Sequence, residues 1–217
     1  MDIAHFSNDI YTEPSSVDVN TLGNLGPLAP LAGVWRGQRG LDIKPKSDGA
    51  RKQAYVERLE LQPIDPQLNG PQLLYGLRYH THITKPDQAK TYHEQVGYWL
   101  WEPATGIVVH TVTIPRGLTL MAQGLVAPEA TSFELRSLKG AADFGICSIP
   151  FLQHAFDTVE FSIKVEVHAD GTWTYEEDTV LKILGQKELF HHVDRNTLIR
   201  MQDPTPNPLA RAQEPAK

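Results

Sequence analysis

The sequence predicts an all-β protein, a closed antiparallel up-and-down β-barrel of about ten strands. Three observations predict it. Apolar and polar residues alternate with a period of two in one segment after another. Short clusters of turn-forming residues separate those segments. Helical periodicity is nearly absent, and closing a meander of short strands removes the edges that an open sheet would expose.

The elements follow in order. Residues 1–25 are polar and irregular and read as an N-terminal extension, with a short helix or turn closing one end of the domain. The barrel domain is expected over 26–202, and its first strand opens at Leu31-Ala32-Gly33-Val34-Trp35-Arg36-Gly37. Residues 54–61 put Tyr55, Leu59 and Leu61 on one face, with Arg58 and Glu60 on the other. Residues 73–83 place Leu73, Tyr75, Leu77, Tyr79 and Ile83 at period two. Residues 92–101 and 107–114 are rich in the aromatic and β-branched side chains that suit a pleated surface. Strands at 118–126 and 132–138 come next, then a longer crossover with a short helix over 149–155.

Residues 159–167 alternate cleanly: Val159, Phe161, Ile163, Val165 and Val167 stand against Glu160, Lys164 and Glu166. Residues 173–183 set Trp173, Tyr175, Leu181 and Ile183 on one side. Glu176-Glu177-Asp178 reads as a solvated cluster beside a turn, with an interior Glu177 as the alternative because it shares the parity of Trp173 and Tyr175. A short last strand is expected at 197–201. The breaks carry Asn69-Gly70-Pro71, Pro103-Ala104-Thr105-Gly106 and the hairpin signal Ala169-Asp170-Gly171. The stretch 203–217 holds four prolines and is expected to be disordered.

Composition narrows the function classes. At 217 residues and 41% hydrophobic content the chain can bury a core without staples. The formal net charge of −6 argues against a nucleic-acid binder, which needs a basic footprint. No apolar run reaches the roughly 18 residues of a spanning helix, so no membrane partner is expected. The opening MDIAHFSNDIYTEPSS has neither a basic nor an apolar signal region, and the cytoplasm is the default expectation. The single cysteine, Cys147, excludes an internal disulfide and a cysteine-cluster zinc site. It is expected to be a buried, inert thiol.

Hydrolase elbows, phosphate loops, dinucleotide fingerprints and H-E-x-x-H are all missing from the sequence. Histidine is the one chemistry-bearing residue that clusters, nine in all. His80 and His82 share one strand face with Arg78, which reads as a wet outer face. His110 lies among Val108, Val112 and Ile114 and is expected inside. His93 shares its face with Gln95, Gly97, Trp99 and Trp101. His191 and His192 fall in the connection before the last strand, where a histidine either reaches into a barrel mouth or caps a turn with Asp194 and Asn196.

The opening Gly33-Val34-Trp35 matches the G-x-W pattern of lipocalin-like barrels, with the glycine allowing close approach and the indole plugging the closed end. Leu31 through Gly40, with Gly33, Trp35, Gly37 and Gly40, resembles the entry of nitrobindin-like heme-binding β-barrels. His93-Glu94-Gln95-Val96-Gly97-Tyr98 is similar to their next marker, H-x-E-x-G-Y, with the acid one place early. Gly117 and Gly124 follow in order, and Phe190-His191-His192-Val193 stands where the family carries its iron-ligating histidine. The resemblance spans about 28–202. It implies an apolar pocket, heme b held by one histidine, nitric oxide binding and, in some members, isomerisation of peroxynitrite to nitrate. Carried over, His192 matches the iron ligand, with His191 as the alternative. His93 matches a pocket histidine, and Ile114 falls where other members have a polar pocket residue. Members often pair as homodimers. Asp194-Arg195-Asn196-Thr197 is more polar than the family pattern, and the connections at 62–72 and 139–157 are longer.

Three readings follow. The first is a heme protein in which His192 is the metal ligand, Asp194 orients it, and His93 or His110 meets a ligand on the other side of the ring. The second is a heme-free carrier of a small apolar ligand such as a fatty acid, with interior histidines on its polar end. The third is a non-heme metalloenzyme built from some of His80, His82, His93 and His110.

Overall fold

The computed structural model describes residues 8–213. The strands are β1 (Gly33–Lys46), β2 (Gly49–Pro63), β3 (Gln67–Asn69), β4 (Gln72–Thr84), β5 (Thr91–Glu102), β6 (Ile107–Ile114), β7 (Leu118–Leu125), β8 (Ser132–Leu138), β9 (Ile146–Ser148), β10 (Phe156–Val167), β11 (Trp173–Ile183) and β12 (Phe190–Gln202). Two short α-helices, α1 (Pro150–Ala155) and α2 (Pro208–Gln213), complete the set. Neighbours pair in the order β2-β1-β12-β11-β10-β8-β7-β6-β5-β4, and a further β2–β4 pairing closes the ring. The result is the expected ten-stranded antiparallel barrel. β3 adds only to β4 and β9 only to β7, so neither belongs to the wall.

Alternation decides which side chains face inward. Phe161, Ile163 and Val165 on β10 meet Leu59, Leu61, Leu77, Trp99 and Leu135 in one core cluster. The hairpin from β10 to β11 is set by Gly171 at φ 82° and by Asp170, whose Oδ1 accepts from the Thr172 amide at 2.9 Å.

One end of the barrel is plugged. A 3₁₀ helix, Gly26–Leu31, drops Leu28 and Leu31 into the opening, and Leu25 just before it is equally buried. Trp35 stands on this plug: its Nε1 donates to the Leu31 carbonyl at 2.8 Å, its ring meets Trp173 edge-on at 5.9 Å, and the Arg200 guanidinium covers it at 4.4 Å. Gly33 is required here, because φ is 133° and a Cβ would come within 2.7 Å of the Gln202 carbonyl oxygen. The other end opens between the β1–β2, β4–β5 and β6–β7 turns, with α1 lying beside it, so that Phe151 and Leu152 line the mouth.

Three expectations are corrected. His191 and His192 do not lie in a connection; β12 begins at Phe190 and carries both. The stretch after 202 is ordered as far as it is described: Asn207 is 1% exposed, and its amide donates to the Val19 carbonyl and to Asp65 Oδ1, each at 2.8 Å. The remaining residues of that stretch, 214–217, and the first seven of the N-terminal extension lie outside the described residues. Cys147 is exposed on β9 rather than buried, because β9 turns Ile146 and Ser148 inward and the residue between them outward. Among the described residues, no helix is long and apolar enough to cross a membrane.

Candidate functional site

The barrel encloses a cavity of about 550 Å³, within the usual range for a small-molecule site. Leu59, Trp99, Val112, Leu120, Phe161 and Ile163 form its apolar walls. Lys44, Lys46 and Arg116 stand at the mouth.

Neighbouring residues on a strand point to opposite faces, so only one of the two adjacent histidines can enter the cavity. That one is His192, which lines it. Its Nε2 donates to Asp42 Oδ1 at 2.8 Å. The β1–β12 register makes this contact, since Asp42 pairs with Asp194, two residues beyond His192 and on the same face. The Tyr92 hydroxyl donates to the other Asp42 oxygen, and Lys44 Nζ donates to that hydroxyl at 2.5 Å. Burial alone would raise the Asp42 carboxyl, but the bonds from His192 and Tyr92 outweigh it and hold the group below its ordinary value. Burial likewise opposes a charged His192, yet the Asp42 partner wins and raises it. His191 turns outward, donating from Nδ1 to Asp178 Oδ2 at 2.6 Å, and does not reach the cavity. Asp42, not Asp194, orients His192.

His93 and Ile114 both line the same cavity. His93 Nε2 donates to Gln95 Oε1 at 3.0 Å, and burial keeps its ring neutral more readily than usual. His110 sits deeper, stacked on Trp99 at 3.9 Å and 1% exposed. Burial pushes it down to about 3, so it is a neutral imidazole. Neither of its ring nitrogens has a hydrogen-bond partner among the described residues. A buried unmade hydrogen bond costs about 1–3 kcal/mol. His80 and His82 lie on the outer face, paired with Glu94 at 3.1 Å and Thr91 at 3.0 Å, so they cannot converge with His93 and His110 inside. Among the described residues, no group of three or more histidine, cysteine or carboxylate side chains is arranged to hold a metal ion.

Sequence reasoning offered an interior Glu177 as an alternative but missed the second polar wall it belongs to. Glu57, Glu177 and Asp194 all line the cavity. Glu57 Oε2 accepts from the Tyr175 hydroxyl at 2.8 Å and from Asn196 Nδ2 at 3.0 Å. The Tyr55 and Tyr175 hydroxyl oxygens lie 2.8 Å apart, and Tyr55 donates to Asp194 Oδ1 at 3.3 Å. Burial pushes Glu57 up to about 7, and burial with the nearby Glu57 charge pushes Glu177 up to about 8. Asp194 is raised for the same reason, burial first and the Glu177 charge second. The signal was present: Glu57 shares parity with Tyr55 and Leu59, and Glu177 with Trp173 and Tyr175.

Residues 24–200 match the family described as the THAP4-like, heme-binding beta-barrel domain. The chain belongs to this family. Membership bears out the nitrobindin-like resemblance read from the sequence, and it makes the domain a small-molecule-binding barrel. The crystal structure of Rv2717c from M. tuberculosis is similar in fold, with a TM-score of 0.59 and 24% identity, covering 85% of this chain and 99% of that one. No curated protein matches the sequence.

Proposed function

We propose that the barrel binds heme b in its cavity through His192. The observation that carries this reading is the state of that ring. Nε2 is engaged by Asp42, and Nδ1 has no hydrogen-bond partner among the described residues. A metal-ligating histidine characteristically gives its other N–H to a carboxylate, which fixes the tautomer and makes the free nitrogen a better donor. His192 and Asp42 have that form, with Tyr92 and Lys44 steadying the carboxylate. The apolar walls suit the faces of a porphyrin, and Lys44, Lys46 and Arg116 suit its carboxylates at the mouth.

When bound, the group supplies an iron with one protein ligand and an open position, which is what binding nitric oxide or isomerising peroxynitrite requires. The chain's own contribution is enclosure and hydrogen bonding. Trp99 and Phe161 exclude water, while neutral His110 offers its unpartnered ring nitrogens to a small polar ligand. A fatty acid is the weaker alternative: the cations that would hold its carboxylate, Lys44, Lys46 and Arg116, stand only at the mouth. A homodimer is the family's expectation.

The test is an absorbance titration of the purified protein with hemin. Saturable binding with a sharp Soret band is expected, lost in His192→Ala and kept in His191→Ala. Equal binding by all three proteins would remove the assignment.

A further inference from the structure

The heme reading leaves the acidic wall without a task. Glu57 comes from β2, Glu177 from β11 and Asp194 from β12, and the β11–β12 register sets Glu177 directly opposite Asp194. Among the described residues, no lysine or arginine pairs with any of the three, and Glu177 has no hydrogen-bond partner. The mouth cations Lys44 and Arg116 are engaged elsewhere, with Tyr92 and with the Tyr92 carbonyl. Three carboxyl groups thus share one side of a low-dielectric cavity, with His192 as the basic group acting on Asp194.

A second, independent observation points to an occupant. His110 and Trp173 line the same cavity, are 1% and 2% exposed, and hold ring nitrogens without partners among the described residues. His110 is in the wall formed by β6, stacked on Trp99, and Trp173 lies 6.1 Å from the Tyr175 ring beside the acids. Native interiors rarely leave buried N–H groups unpaired, and a site waiting for a ligand is one reason they do.

We propose that Glu57, Glu177 and Asp194 form the head-group site for a small organic cation, a protonated primary amine carried on a flat aromatic body. An ammonium has three N–H donors and one positive charge, which meets three carboxyl groups of which Glu57 and Asp194 have only tyrosine and asparagine donors and Glu177 has none among the described residues. The rings of Tyr175 and Trp173 beside it suit a cation. Trp99 and Phe161 give the cavity an aromatic wall against which an aromatic body can lie, and the orphaned nitrogens of His110 and Trp173 can meet its polar atoms. Burial keeps protons on Glu57 and Glu177 near neutral pH, and a bound ammonium takes the place of those protons.

The probe is tryptamine, compared by isothermal titration calorimetry with uncharged 3-methylindole and anionic indole-3-propionate on the heme-free full chain. Tryptamine is expected to bind at one site about tenfold or more tighter than either control, the scale of one charge-assisted hydrogen bond. Glu177→Gln should weaken tryptamine by about tenfold and leave 3-methylindole unchanged. His80→Ala, on the outer face, should leave tryptamine binding in place. Hemin, filling the same cavity, should displace the amine. Tryptamine binding no tighter than 3-methylindole on the wild type overturns the proposal, and that comparison needs no variant to fold. Retention of full tryptamine affinity in a folded Glu177→Gln protein overturns it as well. The heme reading fails with His192 and this one with Glu177, so each stands or falls separately.

Discussion

Replacing Glu57 by glutamine swaps a buried acid for a neutral isostere that can still accept from Tyr175 and Asn196. The wild-type carboxyl titrates at about 7 in the fold against an ordinary value of 4.5. Below pH 4.5 both folded and unfolded chains carry the proton, and the group has no effect on stability. Between 4.5 and about 7 the unfolded chain has given the proton up while the fold retains it, so stability falls as pH rises. Above about 7 the loss levels off. The shift from 4.5 to about 7 corresponds to about 3 kcal/mol for this fully buried group. Glu57→Gln has no such loss. Removing the Glu57 charge also relieves Glu177, whose raised value owes part of its height to it. Urea unfolding at about pH 5 and about pH 8 measures the difference. The variant should lie within about 1 kcal/mol of wild type at the lower pH and exceed it by about 3 kcal/mol at the higher. A variant less stable than wild type at both values would show that Glu57 serves the fold as an anion, and would refute the reasoning.

Three further outcomes follow from the same geometry. Trp35→Ala removes the ring that joins the plug to the barrel, and denaturant titration should show a loss of about 3–5 kcal/mol; a loss under about 1 kcal/mol would mean the plug does not depend on it. His110→Phe keeps the stack on Trp99 and removes two unpartnered nitrogens, so heme-free protein should gain about 1 kcal/mol in the same assay. Hemin affinity should rise between about pH 5 and about pH 8, because a proton held on His192 by Asp42 competes with iron for the ring; a flat or falling profile would contradict His192 as the ligand.

The barrel was legible because most of its strands bury a regular apolar face. Strands β10 and β11 alternate so cleanly that parity alone places Phe161, Ile163 and Tyr175 inside. The start of β12 was not legible for a physical reason. Its inward residues there are His192, Asp194 and Asn196, and polar side chains facing a polar-walled cavity erase the contrast that marks a strand. The same effect hid Glu57 and made Glu177 look like part of a solvated cluster. The partner of His192 was beyond sequence reading, since Asp42 lies 150 positions away and only the β1–β12 register joins them. Proline content made the last stretch look disordered, but one buried amide, Asn207, ties it to Val19 and Asp65. Cys147 was misplaced because a three-residue add-on strand has no alternation to read.

The most direct test of the account is a crystal structure of the protein grown with hemin. The account predicts a porphyrin inside the barrel, iron bonded to His192, the Asp42 contact retained on the other ring nitrogen, and the carboxylates at Lys44, Lys46 and Arg116. Iron on His191, on an outer-face histidine such as His80 or His82, or a porphyrin left outside the cavity would contradict it.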